Sequence, residues 1–225
     1  MARRITTTLI LMFTIFFSGC RFVKEIANPT SAPRSTWLKE FLESPVCQPP
    51  CWNNITPAQT TIDEANKILQ INPTIKIINI YPDSIEWEFL PTGGNGYVES
   101  QYNKNTVDII YLGLGTEQYL TLGDVIKNYS DPTYIHFEQN MHNLKRCFFF
   151  VFYESSGVVF SNRDLPCKEL KQGDISTVDL DVSPDIILNS ITMVATGDRF
   201  AEYAGSVNPI NWKGYGNYVR EYRRK

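Results

Sequence analysis

The sequence predicts an α+β fold built from two tandem units, each a short helix packed on an antiparallel sheet. Three observations carry this expectation. Ile, Val, Phe and Tyr dominate the apolar residues, and 13% of the chain is aromatic; such side chains fit a pleated surface. Alternating runs of strand type recur between turn residues. A helix signature opened by Thr and closed by Pro occurs twice, at Thr61–Pro73 and Thr121–Pro132.

The chain begins with a leader. Arg3 and Arg4 precede an apolar run from Leu9 to Phe17, interrupted only by Thr14. That run is too short for a bilayer-spanning helix, which needs about 20 apolar residues, and has the length of a signal-peptide core. Phe17-Ser18-Gly19-Cys20 follows, and it resembles the lipobox of bacterial lipoproteins, with Phe17 standing where Leu or Val is usual. The resemblance implies cleavage after residue 19, lipid on Cys20 and attachment to the extracytoplasmic face of a membrane, as a palmitate-bearing lipoprotein. Residues 20–45 then read as the lipidated cysteine and a polar tether rich in Pro, Ser and Ala, ending in an amphipathic turn, Trp37–Leu42, that begins the folded part.

The first unit is placed at 46–118. Thr61-Ile-Asp-Glu64 is a capping box, Ala65, Ile68 and Leu69 supply the buried stripe, and Asn72-Pro73 ends the helix. Strands are expected at Ile75–Tyr81, Ser84–Leu90, Tyr97–Tyr102 and Val107–Leu112, with Ile85, Trp87 and Phe89 on one face. The second unit is placed at 119–200. Thr121-Leu-Gly-Asp124 opens its helix, Val125, Ile126 and Tyr129 face inward, and Asp131-Pro132 closes it. Strands follow at Tyr134–Glu138, Cys147–Tyr153 and Val158–Ser161, with a turn at Glu154–Gly157 and a later strand from Ile186 to Ala195. The two helices should lie on Trp87 and Phe89, and on Phe148, Phe150 and Phe152, respectively.

A Thr-opened helix ending in Pro, followed by a strand hairpin, resembles the small lipoproteins of the outer-membrane protein assembly machinery. Two such units in tandem resemble the β-lactamase inhibitory proteins. The resemblance covers most of residues 55–161 and implies a protein-binding or scaffold role without catalysis; Ala58 stands where the usual approach to the helix has Gly.

Cys47, Cys51, Cys147 and Cys167 remain besides Cys20. An even number in an exported chain points to two disulfides, and local closure, Cys47–Cys51 and Cys147–Cys167, is the preferred pairing. A four-thiolate zinc site would want C-x₂-C spacing and a redox dithiol C-x-x-C, neither of which is present. The C-terminal segment 201–225 mixes Trp212, Tyr215, Tyr218 and Tyr222 with Lys213, Arg220, Arg223, Arg224 and Lys225. It reads either as a strap for a membrane surface or anionic polymer, or as a segment whose aromatics dock while its charges stay wet.

Charge and motifs narrow the function. Two of the 21 basic residues fall within residues 1–19, leaving 19 against 24 acidic ones, a net charge of −5. That balance disfavours nucleic acid as a partner. No H-E-x-x-H, G-x-S-x-G or S-x-x-K occurs. His136 alternates with Ile135 and Phe137 and is expected on a solvent face; His142 falls in a polar turn. Gly113-Leu-Gly115 lacks the third glycine and the helix start of a phosphate loop. Asp179, Asp181, Ser183 and Asp185 alternate as in a calcium loop, but Pro184 occupies the glycine position and Ser190 that of the final acid, so a solvated strand face is expected. No catalytic, cofactor or metal residues are assigned. The expected function is a membrane-anchored, non-catalytic protein-binding or scaffold lipoprotein. The alternatives are a wall-polymer hydrolase using carboxylates such as Glu86 and Glu88, or a binder of small ligands or cations. A polar cleft with paired acids would favour the hydrolase, and a sheet face with exposed aromatics the protein binder.

Overall fold

The computed structural model describes residues 36–223 apart from 44, 46, 92, 102–104, 117, 173 and 174. The leader, the Phe17–Cys20 motif, the tether before residue 36, and Arg224 and Lys225 lie outside the described residues. In chain order the elements are α1 (Thr36–Glu43), α2 (Ile62–Gln70), β1 (Ile75–Ile80), β2 (Ser84–Phe89), β3 (Asn95–Glu99), β4 (Ile109–Gly113), β5 (Leu120–Thr121) and α3 (Leu122–Tyr129). They continue with β6 (Tyr134–Asn140), β7 (Asn143–Tyr153), β8 (Val158–Pro166), β9 (Lys168–Gln172), β10 (Ile175–Val182), β11 (Ile187–Leu188), β12 (Ser190–Val194), α4 (Asp198–Gly205), β13 (Ile210–Asn211) and β14 (Gly216–Arg223). The α+β class with antiparallel sheet holds.

The centrepiece is one nine-stranded antiparallel sheet, ordered β1-β2-β3-β4-β12-β8-β7-β6-β13. Both helices opened by Thr lie on its core side. Thr61 Oγ1 accepts from Glu64 N at 3.2 Å while a Glu64 carboxylate oxygen accepts from Thr61 N at 2.9 Å. The same reciprocal pair joins Thr121 and Asp124, at 3.1 and 3.2 Å. These bonds satisfy amides that the first helical turn would leave orphaned. Ile62, Ala65 and Leu69 of α2 and Leu122 and Val125 of α3 are buried in one cluster with Trp87, Phe89, Phe149, Val151 and Phe160. Helix α1 lies in that cluster too. Trp37 stacks on Phe89 at 4.8 Å, and Phe41 meets Tyr129 and Phe160.

Two close packings position β2. Trp87 is sandwiched parallel to Trp52 at 5.4 Å and lies opposite Gly96 on β3. A Cβ on Gly96 would fall 2.4 Å from the Trp87 ring, so only glycine leaves room for the indole.

The second half departs from expectation in four places. Phe148–Tyr153 is apolar without alternation because β7 is covered on both faces. Phe149, Val151 and Tyr153 face the helices, whereas Phe152 joins Phe200 and Ala204 of α4 on the far side. The expected packing of α3 on Phe148, Phe150 and Phe152 is therefore on the wrong face. The strand read at Ile186–Ala195 is two pieces: β11 pairs with β5, and β12 enters the large sheet. Strands β14, β10 and β9 form a separate three-stranded sheet, whose Val178, Leu180, Val182 and Tyr218 complete the core. The C-terminal segment is thus a strand, with Trp212 stacked on Tyr218. Trp212 and Tyr218 dock, whereas Tyr215 stays exposed and Arg220 does not stay wet.

Two disulfides are present, Cys47–Cys51 and Cys147–Cys167, in the local pairing expected. The second ties β7 to the junction where the chain leaves the large sheet for the small one. No helix among the described residues is long and apolar enough to cross a membrane.

Candidate functional site: the tyrosine–arginine face of the sheet

The face of the large sheet turned away from α2 and α3 carries the strongest surface chemistry of the described residues. Strand pairing sets Tyr97 directly opposite Tyr111, and Tyr111 directly opposite Thr192. Because side chains directly opposite one another share a face, these three form a row across the sheet centre. The tyrosine rings stack at 4.9 Å with an interplanar angle of 18°. Arg163, exposed on β8, sets its guanidinium carbon 5.3 Å from the Tyr111 centroid, a cation–π distance. Tyr203 of α4 closes one side. Burial pushes the Tyr97 and Tyr203 hydroxyls up, so both stay protonated as donors around neutrality.

Beside this row α4 and the sheet edge enclose a cleft of about 270 Å³ lined by Gln101, Asp108, Arg199, Glu202, Tyr203 and Ser206. Its two acids are already engaged. Asp108 accepts from Gln101 N at 2.7 Å, and Glu202 from Arg199 at 3.3 Å.

The other residues singled out from sequence are dispersed. Glu86 points outward from β2 and accepts from Asn79 at 2.7 Å. Asp179 and Asp181 sit on β10, opposite Val219 and Asn217, while Val178, Leu180 and Val182 take the buried side, as a solvated strand face requires. Gly113 ends β4, and the next described element is the short β5. Among the described residues no group of three His, Cys, Asp or Glu converges as a metal site.

His136 is a correction. It is 1% exposed rather than on a solvent face. Its ring packs tilted on Phe150, Nδ1 meets the Arg220 guanidinium, and Nε2 lies 3.5 Å from a Glu138 carboxylate oxygen. Arg220 also donates to the Phe137 and Val207 carbonyls. Burial first, and the Arg220 charge second, lower the His136 pKa to about 4. Alternation in β6 cannot reveal this, because besides Phe150 on the neighbouring strand the covering group is Arg220, 84 positions later. The Tyr97–Tyr111–Arg163 row was likewise missed. Its sequence signal is slight: Tyr97 and Tyr111 are the central residues of five-residue strands, each flanked by buried neighbours.

No protein-family model, curated protein or solved structure matches this chain.

Proposed function

We propose that the protein is a membrane-anchored extracytoplasmic lipoprotein that binds another protein through the tyrosine–arginine face, without catalysis. The observation that carries this reading is the Tyr97–Tyr111–Arg163 row with Tyr203 beside it. Tyr and Arg are the residues that dominate binding energy at protein interfaces, because they offer large rigid area and charge-assisted donors. The resemblance to the small assembly lipoproteins, and the two disulfides, agree with an exported binding module.

The two-unit organisation belongs to the same proposal, and the backbone supports it. Ile62 N donates to Asn105 O, and Leu122 N donates to Ile186 O, both at 2.8 Å. Thr61 bridges Thr106 just before β4, and Thr121 pairs with Ile187 just before β12. The helix starts are 60 residues apart (121 less 61), whereas β4 and β12 are 81 apart at both ends (190 less 109, 194 less 113). The difference of 21 accommodates β9 and β10, an insertion in the second unit. Under the 81-residue offset Tyr111 corresponds to Thr192, its own cross-strand partner. On this reading an approximate two-fold axis would relate the two units, passing near the Tyr111–Thr192 pair.

Three experiments test the proposal. A photo-cross-linking residue at position 99, on the same strand face as Tyr97, in the full chain and in native membranes, should capture a protein, and Tyr111→Ala should abolish the capture. Turnover of a wall glycan or peptide by the purified protein would overturn the non-catalytic reading. Cys20→Ser should abolish incorporation of a fatty-acid analogue and release the protein from membranes; label that persists would sink the lipid assignment.

A further inference from the structure

We infer that β1 is an open docking edge, to which an extended segment of another protein adds as a further strand and seats an apolar side chain in the groove at the start of β1. This surface is separate from the tyrosine–arginine face and rests on different observations.

The two ends of the large sheet are unlike. At one end the two-residue β13 caps β6, and Arg220 donates to the Phe137 carbonyl beyond it. At the other end β1 has, among the described residues, a neighbour on one side only. Exposed edges are ordinarily blunted by charge, proline or brevity. Strand β1, Ile75-Lys-Ile-Ile-Asn-Ile80, has six residues, one charge and no proline. Antiparallel pairing turns alternate backbone groups outward. Thr74 O accepts from Leu90 N, and Tyr81 N donates to Ser84 O, so these positions bond inward. Counting from each end of the strand, Ile77 and Ile80 direct their backbone N–H and C=O groups away from β2, as does the Ile75 carbonyl, while Ile75 N donates back to Asn72 O at 3.2 Å. The bulge between Ile77 and Asn79 sets Ile78 out as well. Ile80 is 54% exposed and Ile78 49%.

A groove of about 570 Å³ opens where β1 begins. Trp37, Trp52 and Phe89 form its aromatic wall, and Ile68 and Ile71 of the α2 end its aliphatic one. Ile71 is 83% exposed, beyond what a helix terminus needs. An unpaired edge beside a side-chain pocket is the arrangement by which strand addition works: backbone bonds give affinity and the pocket gives selectivity. The unpaired backbone groups specify an extended chain as occupant, not a helix or a lipid. Glu40 lines the groove, and Glu86 and Glu88 flank the edge against Lys76 alone, which specifies a basic flank on the segment.

The test uses the full-length chain in detergent micelles and a library of short blocked peptides, apolar at alternate positions with lysine at one end, read by fluorescence anisotropy. A binding peptide is expected, and Ile71→Asp or Ile80→Pro should weaken it by about tenfold or more; Ile80→Pro removes an outward N–H and spares the β1–β2 bonds. N-methylation along the peptide should abolish binding at every second residue only, because one edge of the added strand is bonded. Absence of binding, or N-methyl effects without alternation, would overturn the inference, independently of whether either variant folds. In native membranes, a photo-cross-linker at Ile78 should join a different protein; a link to a second copy or to the chain's own N-terminal residues would also overturn it. The cross-linker at position 99 reports separately on the tyrosine–arginine face.

Discussion

His136 and Arg220 meet across 84 positions of sequence, and the imidazole can accept from the guanidinium only while neutral. Its pKa, about 4 in the folded protein against 6.5 for an unperturbed histidine, makes the pair sensitive to acid. Between pH 6.5 and 4 the unfolded chain binds a proton that the folded one refuses. Stability from this site is therefore intact above 6.5 and declines as pH falls towards 4. Glu138 is the other charged group facing the ring, and it is too exposed to offset Arg220. Urea midpoints of the wild type and His136→Gln, compared at pH 7.5 and 5, should show a larger drop for the wild type. Equal drops would refute the site as the cause. At Gly96, valine would force Trp87 from its slot; a loss of about 1–3 kcal/mol is expected by denaturant titration. Neither residue announces itself locally. The alternation around His136 is real, but a strand face counts as solvent only until something distant covers it.

Among the elements, those with local chemistry were legible. Both Thr caps, the strands Ile75–Ile80 and Ser84–Phe89 and the hairpin turn at Glu154–Gly157 stand where capping, alternation and turn residues place them, whereas β3 begins at Asn95, inside the glycine-rich stretch expected to turn. Thr61→Ala and Thr121→Ala should each cost about 1 kcal/mol in thermal or chemical unfolding. Leu69→Asp, at a fully buried position, should unfold the protein, whereas Lys67→Asp on the exposed side should be mild. The Cys147–Cys167 bond spans 20 residues, for which the chain-entropy model gives about 3 kcal/mol. Replacing both cysteines by alanine should lower the unfolding free energy by that order, and an unchanged midpoint would contradict it. What alternation could not settle was the side of β7 that meets α3, since six consecutive apolar residues satisfy either face. Strand β14 was hidden because its register depends on β10, a partner that no local pattern identifies.

For the molecule as a whole, the decisive feature is that α1, α2, α3 and both sheets share one hydrophobic cluster. The two halves are not free to unfold separately. In a Trp212→Phe protein, tryptophan fluorescence, reporting on Trp37, Trp52 and Trp87 in the first half, and near-ultraviolet dichroism, reporting on tyrosines throughout, should trace a single coincident transition. Two separated transitions would show that the core is divided. The tyrosine–arginine face could be recognised only at this scale, since it exists where β3, β4, β8 and α4 converge.

Helix α1 has a mechanical meaning. It belongs to no sheet ladder and is held by Leu38, Phe41 and Leu42 in the core and by the stacking of Trp37 on Phe89. Every strand named above is zipped to a neighbour by backbone bonds, but among the described residues this helix is held by side-chain packing. Tension applied to the preceding chain reaches the fold through it first, and peels it away before any strand is loaded. Peeling would uncover Phe89 and Phe160 together, in opposite halves of the sheet, so that a pull on the N-terminal side loosens both halves at once.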